Sequence, residues 1–73
     1  MRIKKVKDIR DLEPGTRVLV TICIPEDNRY EMYTGTIDAD GPFITYDDGK
    51  SDATGVISFY QDNGWATARV LEV

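Results

Sequence analysis

From Thr16 to Ile24 the chain reads Thr-Arg-Val-Leu-Val-Thr-Ile-Cys-Ile, with Val18, Val20, Ile22 and Ile24 at every second position. Successive side chains of a strand point to opposite faces, so a period of two places all four on one side of a sheet. Val and Ile also suit a pleated, half-buried surface better than a helix, where their χ1 freedom is restricted. The segment therefore predicts a strand with one face in a core. Its other face, Arg17, Leu19, Thr21 and Cys23, is mixed and suited to partial exposure. Pro14-Gly15 just ahead is a turn signal: Pro presets φ, and Gly supplies the positive φ of a type II turn.

Turn residues punctuate the rest of the chain at short intervals. Ile3, Val6, Ile9 and Leu12 stand three apart, as on one face of a helix or of 3₁₀ turns, but β-branching equally allows an extended segment. The reading adopted is an extended lead followed by a turn at Asp8–Leu12. Pro25–Arg29 is a polar loop. A second strand is expected from Tyr30 to Asp38, with Gly35 marking a bulge or bend. Asp40-Gly41 closes a hairpin to a third strand, Phe43–Tyr46. The stretch from Asp47 to Asp52 is an acidic loop. A fourth strand is expected near Val56–Tyr60, a turn at Gln61–Gly64, and a fifth strand over Trp65–Val73. Five antiparallel strands with flat open edges would aggregate, so they are expected to curl into a small barrel. The 73 residues are one domain, with a basic lead over 1–11 and the barrel over 12–73.

Several chemistries are excluded by what is missing. The chain has no histidine and one cysteine, which removes a disulfide framework, a zinc finger and a histidine-based triad. No glycine-rich phosphate loop occurs. The acids between Asp47 and Asp52 do not have the alternate spacing of a calcium loop. The expectation is a protein that is not an enzyme and needs no cofactor or metal. Cys23 reads as a small hydrophobe, since nothing near it in sequence would lower its pKa. No apolar run is long enough for a membrane helix, and no apolar h-region follows the basic start, so a cytoplasmic location without membrane contact is expected.

Glu13-Pro14-Gly15-Thr16-Arg17-Val18-Leu19-Val20 is similar to the P-G-x-x-V-x-V opening of a first strand in the SH3-like barrel superfamily, Tudor-type domains in particular. Tyr33-Thr34-Gly35-Thr36-Ile37 resembles the second strand, and Ile44-Thr45-Tyr46-Asp47-Asp48-Gly49 the end of the third. The resemblance covers residues 12–73 and implies an all-β fold, a five-stranded antiparallel SH3-like barrel with a short N-terminal extension. It also implies an aromatic cage for a methylated lysine or arginine, held by the attraction of ring faces for a cation. Tyr46 and Asp48 would stand at its edge, with Tyr30 and Tyr33 as the aromatics of the second strand. The first strand departs from the pattern, since Ile22-Cys23-Ile24 offers no aromatic beside the loop. Read from the residues alone, Tyr30, Tyr33, Phe43 and Tyr46 are cross-strand packing partners. Trp65 reads as a plug for the barrel end or, if exposed, as an interface anchor, with Tyr60 and Phe59 expected near it in the fold.

Charge is unevenly distributed. Arg2, Lys4, Lys5, Lys7 and Arg10 face Asp8 alone within the first ten residues, a balance of +4, whereas residues 11–73 hold 4 basic and 12 acidic groups, a balance of −8. An acidic body repels nucleic acid and suits a basic protein. Duplex nucleic acid is disfavoured as a partner, because its binders carry a broad basic footprint. The leading expectation is a non-enzymatic protein-binding module, a small bacterial or phage accessory protein, acting as a monomer or small homo-oligomer. Its recognition face is expected around Tyr46, Asp47, Asp48 and Asp52, with Tyr30, Tyr33 and Trp65 contributing. The alternatives are an acidic mimic of nucleic acid that inhibits a host enzyme, and a nucleic-acid binder working through the basic N-terminal arm.

Overall fold

The structure, a computed structural model, describes residues 2–72. Six strands follow one another as β1 (Arg2–Val6), β2 (Arg17–Ile24), β3 (Arg29–Ile37), β4 (Phe43–Tyr46), β5 (Ser51–Ala53) and β6 (Ala66–Glu72), with one helix, α1 (Thr54–Asp62), between the last two. They form one antiparallel sheet in the order β1-β6-β2-β3-β4-β5. β1 and β5 are its edges and do not pair with each other, so the sheet stays open.

Four expectations are corrected by the structure. The sheet has six strands in an open order instead of five in a closed barrel. The lead is extended and followed by a 3₁₀ turn at Ile9–Asp11, as expected, but it is not apart from the sheet: β1 pairs with β6 from Arg2↔Glu72 to Val6↔Ala68. Residues 56–60 are helical, inside α1. The adjacent Ile57 and Ser58 are both buried, which a helix permits and a half-buried strand does not. The acidic loop after Tyr46 is also shorter than expected, because Ser51–Ala53 return along β4.

β2 behaves as its alternation requires. Val18, Val20 and Ile22 have no exposed surface and Ile24 is buried, while Arg17 and Cys23 are exposed. The Pro14-Gly15 turn takes the expected form: Gly15 has φ 87°, and the Thr16 N–H donates to Glu13 C=O at 3.2 Å. The core lies between the β2 face, Ile37, Ile44 and Tyr46 from the next two strands, Ala66 and Ala68 from β6, and Ile57 from α1. Ile9 of the 3₁₀ turn completes it. Small alanines on β6 leave space for these larger neighbours. Gln61 ties the layers together: its Oε1 accepts from the Ile9 N–H at 2.9 Å and its Nε2 donates to Val6 C=O at 3.2 Å. Instead of strand pairing, α1 and the 3₁₀ turn therefore cover the open side of the sheet.

Candidate protein-binding face

Where α1 ends determines where the tryptophan sits. Gly64 takes a left-handed φ of 73°, its N–H donates to Gln61 C=O at 3.1 Å, and the Trp65 N–H donates to Tyr60 C=O at 2.8 Å. This is the Schellman form of helix end, which brings the residue after the glycine against the last turn. Trp65 and Tyr60 accordingly pack with ring centroids 6.2 Å apart. Phe59 sits edge-on to Trp65 at 6.1 Å. Trp65 and Tyr60 are half-buried against the core, but Phe59 is 58% exposed and Val56, one turn earlier on the same side of the helix, is 42% exposed.

β3 carries the cluster onward. Arg29, Glu31 and Tyr33 lie opposite the buried Ile24, Ile22 and Val20, so they project to the core side of the sheet, the side of α1. The Arg29 guanidinium lies 5.7 Å from the Tyr60 ring centroid and donates to the Tyr60 hydroxyl at 3.2 Å. It also grips Glu31 with two bonds of 2.8 and 3.0 Å, and the Tyr33 hydroxyl donates to the same carboxylate at 2.7 Å. The Arg29 bonds, then that of Tyr33, hold the Glu31 carboxyl below the usual carboxylate range. Tyr33 stacks on Tyr46 with centroids 4.5 Å apart and planes at 17°. Tyr46 is buried and donates to Asp52 at 2.9 Å, so burial first and the Asp52 contact second push its phenol far above the ordinary value.

The structure thus brings Tyr33, Tyr46 and Asp52 together and links them through Glu31 and Arg29 to Tyr60 and Trp65. It separates the others. Tyr30 lies on the opposite face of β3, where it pairs with Cys23 and stands next to Met32. Asp47 binds Arg17 through two bonds of 2.7 and 2.8 Å and accepts from Thr34, and both Arg17 and Thr34 belong to the outer face. These bonds hold its carboxyl well below the usual range. Asp48 closes its own turn by accepting from the Lys50 N–H at 2.9 Å. Sequence reasoning missed Val56, Arg29 and Glu31, whereas it expected Tyr60 and Phe59 near Trp65, where the structure has them, though on a helix and not on a strand. Two signals were present: Arg29, Glu31 and Tyr33 at a spacing of two, and Asn63-Gly64 as a helix end.

Chemically, the face is a packed aromatic and ionic surface. The 4.5 Å stack of Tyr33 on Tyr46 leaves no gap for an ammonium group between those two rings, so they are not opposing walls of a cage. Among the described residues, no group of three His, Cys, Asp or Glu side chains could hold a metal ion. No helix among them is long and apolar enough to cross a membrane. A separate apolar cleft of about 410 Å³ lies beside the 3₁₀ turn and the start of α1, lined by Ile9, Leu12, Pro14, Ile37 and Pro42 among others. No residue of the aromatic face contributes to it. No protein-family model, curated protein or solved structure matches this chain.

Proposed function

We propose that the protein is a non-enzymatic protein-binding module whose recognition face is centred on Phe59. The carrying observation is the exposure of Phe59 on a platform of Trp65 and Tyr60 that is itself packed on the core. A large apolar side chain held in place by aromatic neighbours loses little entropy on binding, and aromatic and Arg side chains dominate interface energetics. The charge favours a basic partner. Arg29 is neutralised by Glu31, while Asp62, one turn beyond Phe59, and Glu26 and Asp27, just before Arg29, are exposed acids without an ion pair among the described residues. Acids at a rim speed encounter with a basic surface more than they tighten it. Three carboxylates that a nucleic-acid mimic would use, Asp8, Glu31 and Asp47, are each bound to an arginine. In this reading the β2–β3–β4 meander is an SH3-like half in which α1 replaces a barrel strand, and the module works in the cytoplasm as a bacterial or phage accessory protein.

The test is a photo-crosslinker introduced at Phe59, used on a host lysate, with Phe59→Ala as the binding variant. Phe59→Ala should keep its melting temperature within a few degrees, because the side chain is mostly exposed. It should weaken the crosslinked partner by about 2 kcal/mol or more, which is roughly 30-fold. A partner bound equally well by Phe59→Ala would remove this face as the recognition site.

A further inference from the structure

Among the described residues, β1 hydrogen-bonds to β6 and to no other strand. Such an edge presents backbone N–H and C=O groups without strand partners, a template for an added strand. The ladder determines where its side chains point. Lys4 lies opposite Val70, which lies opposite the buried Val18, so Lys4 is on the core side of the sheet. Lys5 lies opposite Arg69, which lies opposite Leu19, so both cations are on the outer side. Lys4, Lys5 and Lys7 are exposed. Among the described residues neither they nor Arg69 take part in an ion pair. Like charges directly across a ladder destabilise it, and an anion placed beside Lys5 and Arg69 would relieve that. Next to them on the outer side, Ile3 is 59% exposed and faces Leu71.

Placement separates two kinds of acidic partner. A nucleic-acid backbone is read by cations gathered on one surface. Lys4 and Lys5 are split across the two faces of the sheet. A strand laid along β1 would itself place consecutive side chains on both faces. We propose that the β1 edge accepts an acidic extended peptide by strand addition. One carboxylate then faces Lys4 on the core side, the next faces Lys5 on the outer side, with Arg69 one strand further in, and an apolar residue lies against Ile3. The preferred segment is an apolar residue beside two consecutive acids. The same lysines reject a second copy of this chain, because pairing β1 with β1 sets lysine against lysine.

The probe is a fluorescent peptide, Thr-Thr-Val-Glu-Glu-Thr-Thr, titrated into the full chain at low salt. Alternate β1 amides should gain protection from hydrogen exchange when it binds. The double variant Lys4→Glu, Lys5→Glu should bind at least about tenfold more weakly, with a melting curve alongside to confirm folding. A version of the peptide N-methylated at alternate residues keeps its carboxylates and loses strand hydrogen bonds. Tested in both phases, one phase should fail to bind the unaltered chain. Equal binding of both N-methylated peptides, unchanged β1 exchange, tighter binding of single-stranded oligothymidylate, or no binding up to millimolar peptide would each overturn the proposal.

Discussion

A methyl group on Gly35 would lie 2.7 Å from the Thr45 carbonyl oxygen, 2.9 Å from Tyr46 Cδ1 and 3.0 Å from Tyr46 Cα. This explains the glycine differently from the bulge its position suggested. The β2–β3 ladder runs through it without a step, from Arg17↔Thr36 through Val18↔Gly35 to Leu19↔Thr34. Gly35 is there so that Tyr46 can fold over β3 and stack on Tyr33. Two of the three opposing atoms are backbone and cannot swing away. Gly35→Ala should therefore destabilise by about 1–3 kcal/mol, the usual range for overpacking. Urea unfolding followed by fluorescence would measure it, and an unchanged midpoint would contradict the close approach. The tyrosines themselves were legible as candidates at this scale. That they pack across strands was legible too, and Tyr33 on Tyr46 does so; which two meet, and the bond of Tyr46 to Asp52, depend on ladder registers that no single residue reveals.

Among the elements, β1 and α1 are where reading and structure part. β1 is short and lysine-rich, and on composition alone it reads as a tail. In the sheet it covers β6, and the C=O of its last residue, Val6, is bound by Gln61 of α1. Deleting residues 1–6 would uncover the β6 edge and free that side of the helix. The shortened chain should lose a cooperative melt, or melt at least several degrees lower, in a calorimetric scan. An unchanged melting temperature would return these residues to the status of a lead. α1 was illegible at its start for a physical reason. Ala53 at its N-cap makes no side-chain cap, Gly55 lies in the first turn, and Val56 and Ile57 favour strands. Its end was readable, since Asn63-Gly64 followed by an aromatic is the pattern a Schellman end needs.

For the molecule as a whole, the acids matter as a set. Arg10, donating from its side chain first and from its backbone N–H second, lowers the Asp8 carboxyl to about 2. Glu31 and Asp47 are held low by Arg29 and Arg17 in the same manner. Each of the three binds its proton more weakly folded than unfolded. Their contribution is therefore complete above the ordinary carboxylate pKa of about 4 and is lost as pH falls through the lowered values. The urea midpoint should hold between about pH 7 and 5 and fall below about pH 4, by a modest amount because these pairs are solvent-screened. Arg17→Ala should reduce that fall, and stability rising on acidification would contradict the pairing. Local pattern alone was enough to establish a β-rich chain, the β2 core face, the β3 and β4 positions and the Gly15 turn. These depend on side-chain alternation and on φ, which neighbouring residues carry. Tertiary structure alone decided that residues 54–62 are helical, that the sheet stays open under that helix, and that Tyr60, packed with Phe59 and Trp65, meets Arg29. A helix with a weak start forms when burying Ile57 on a finished sheet outweighs the preference of its residues, and that balance exists only once β2, β3 and β6 have come together.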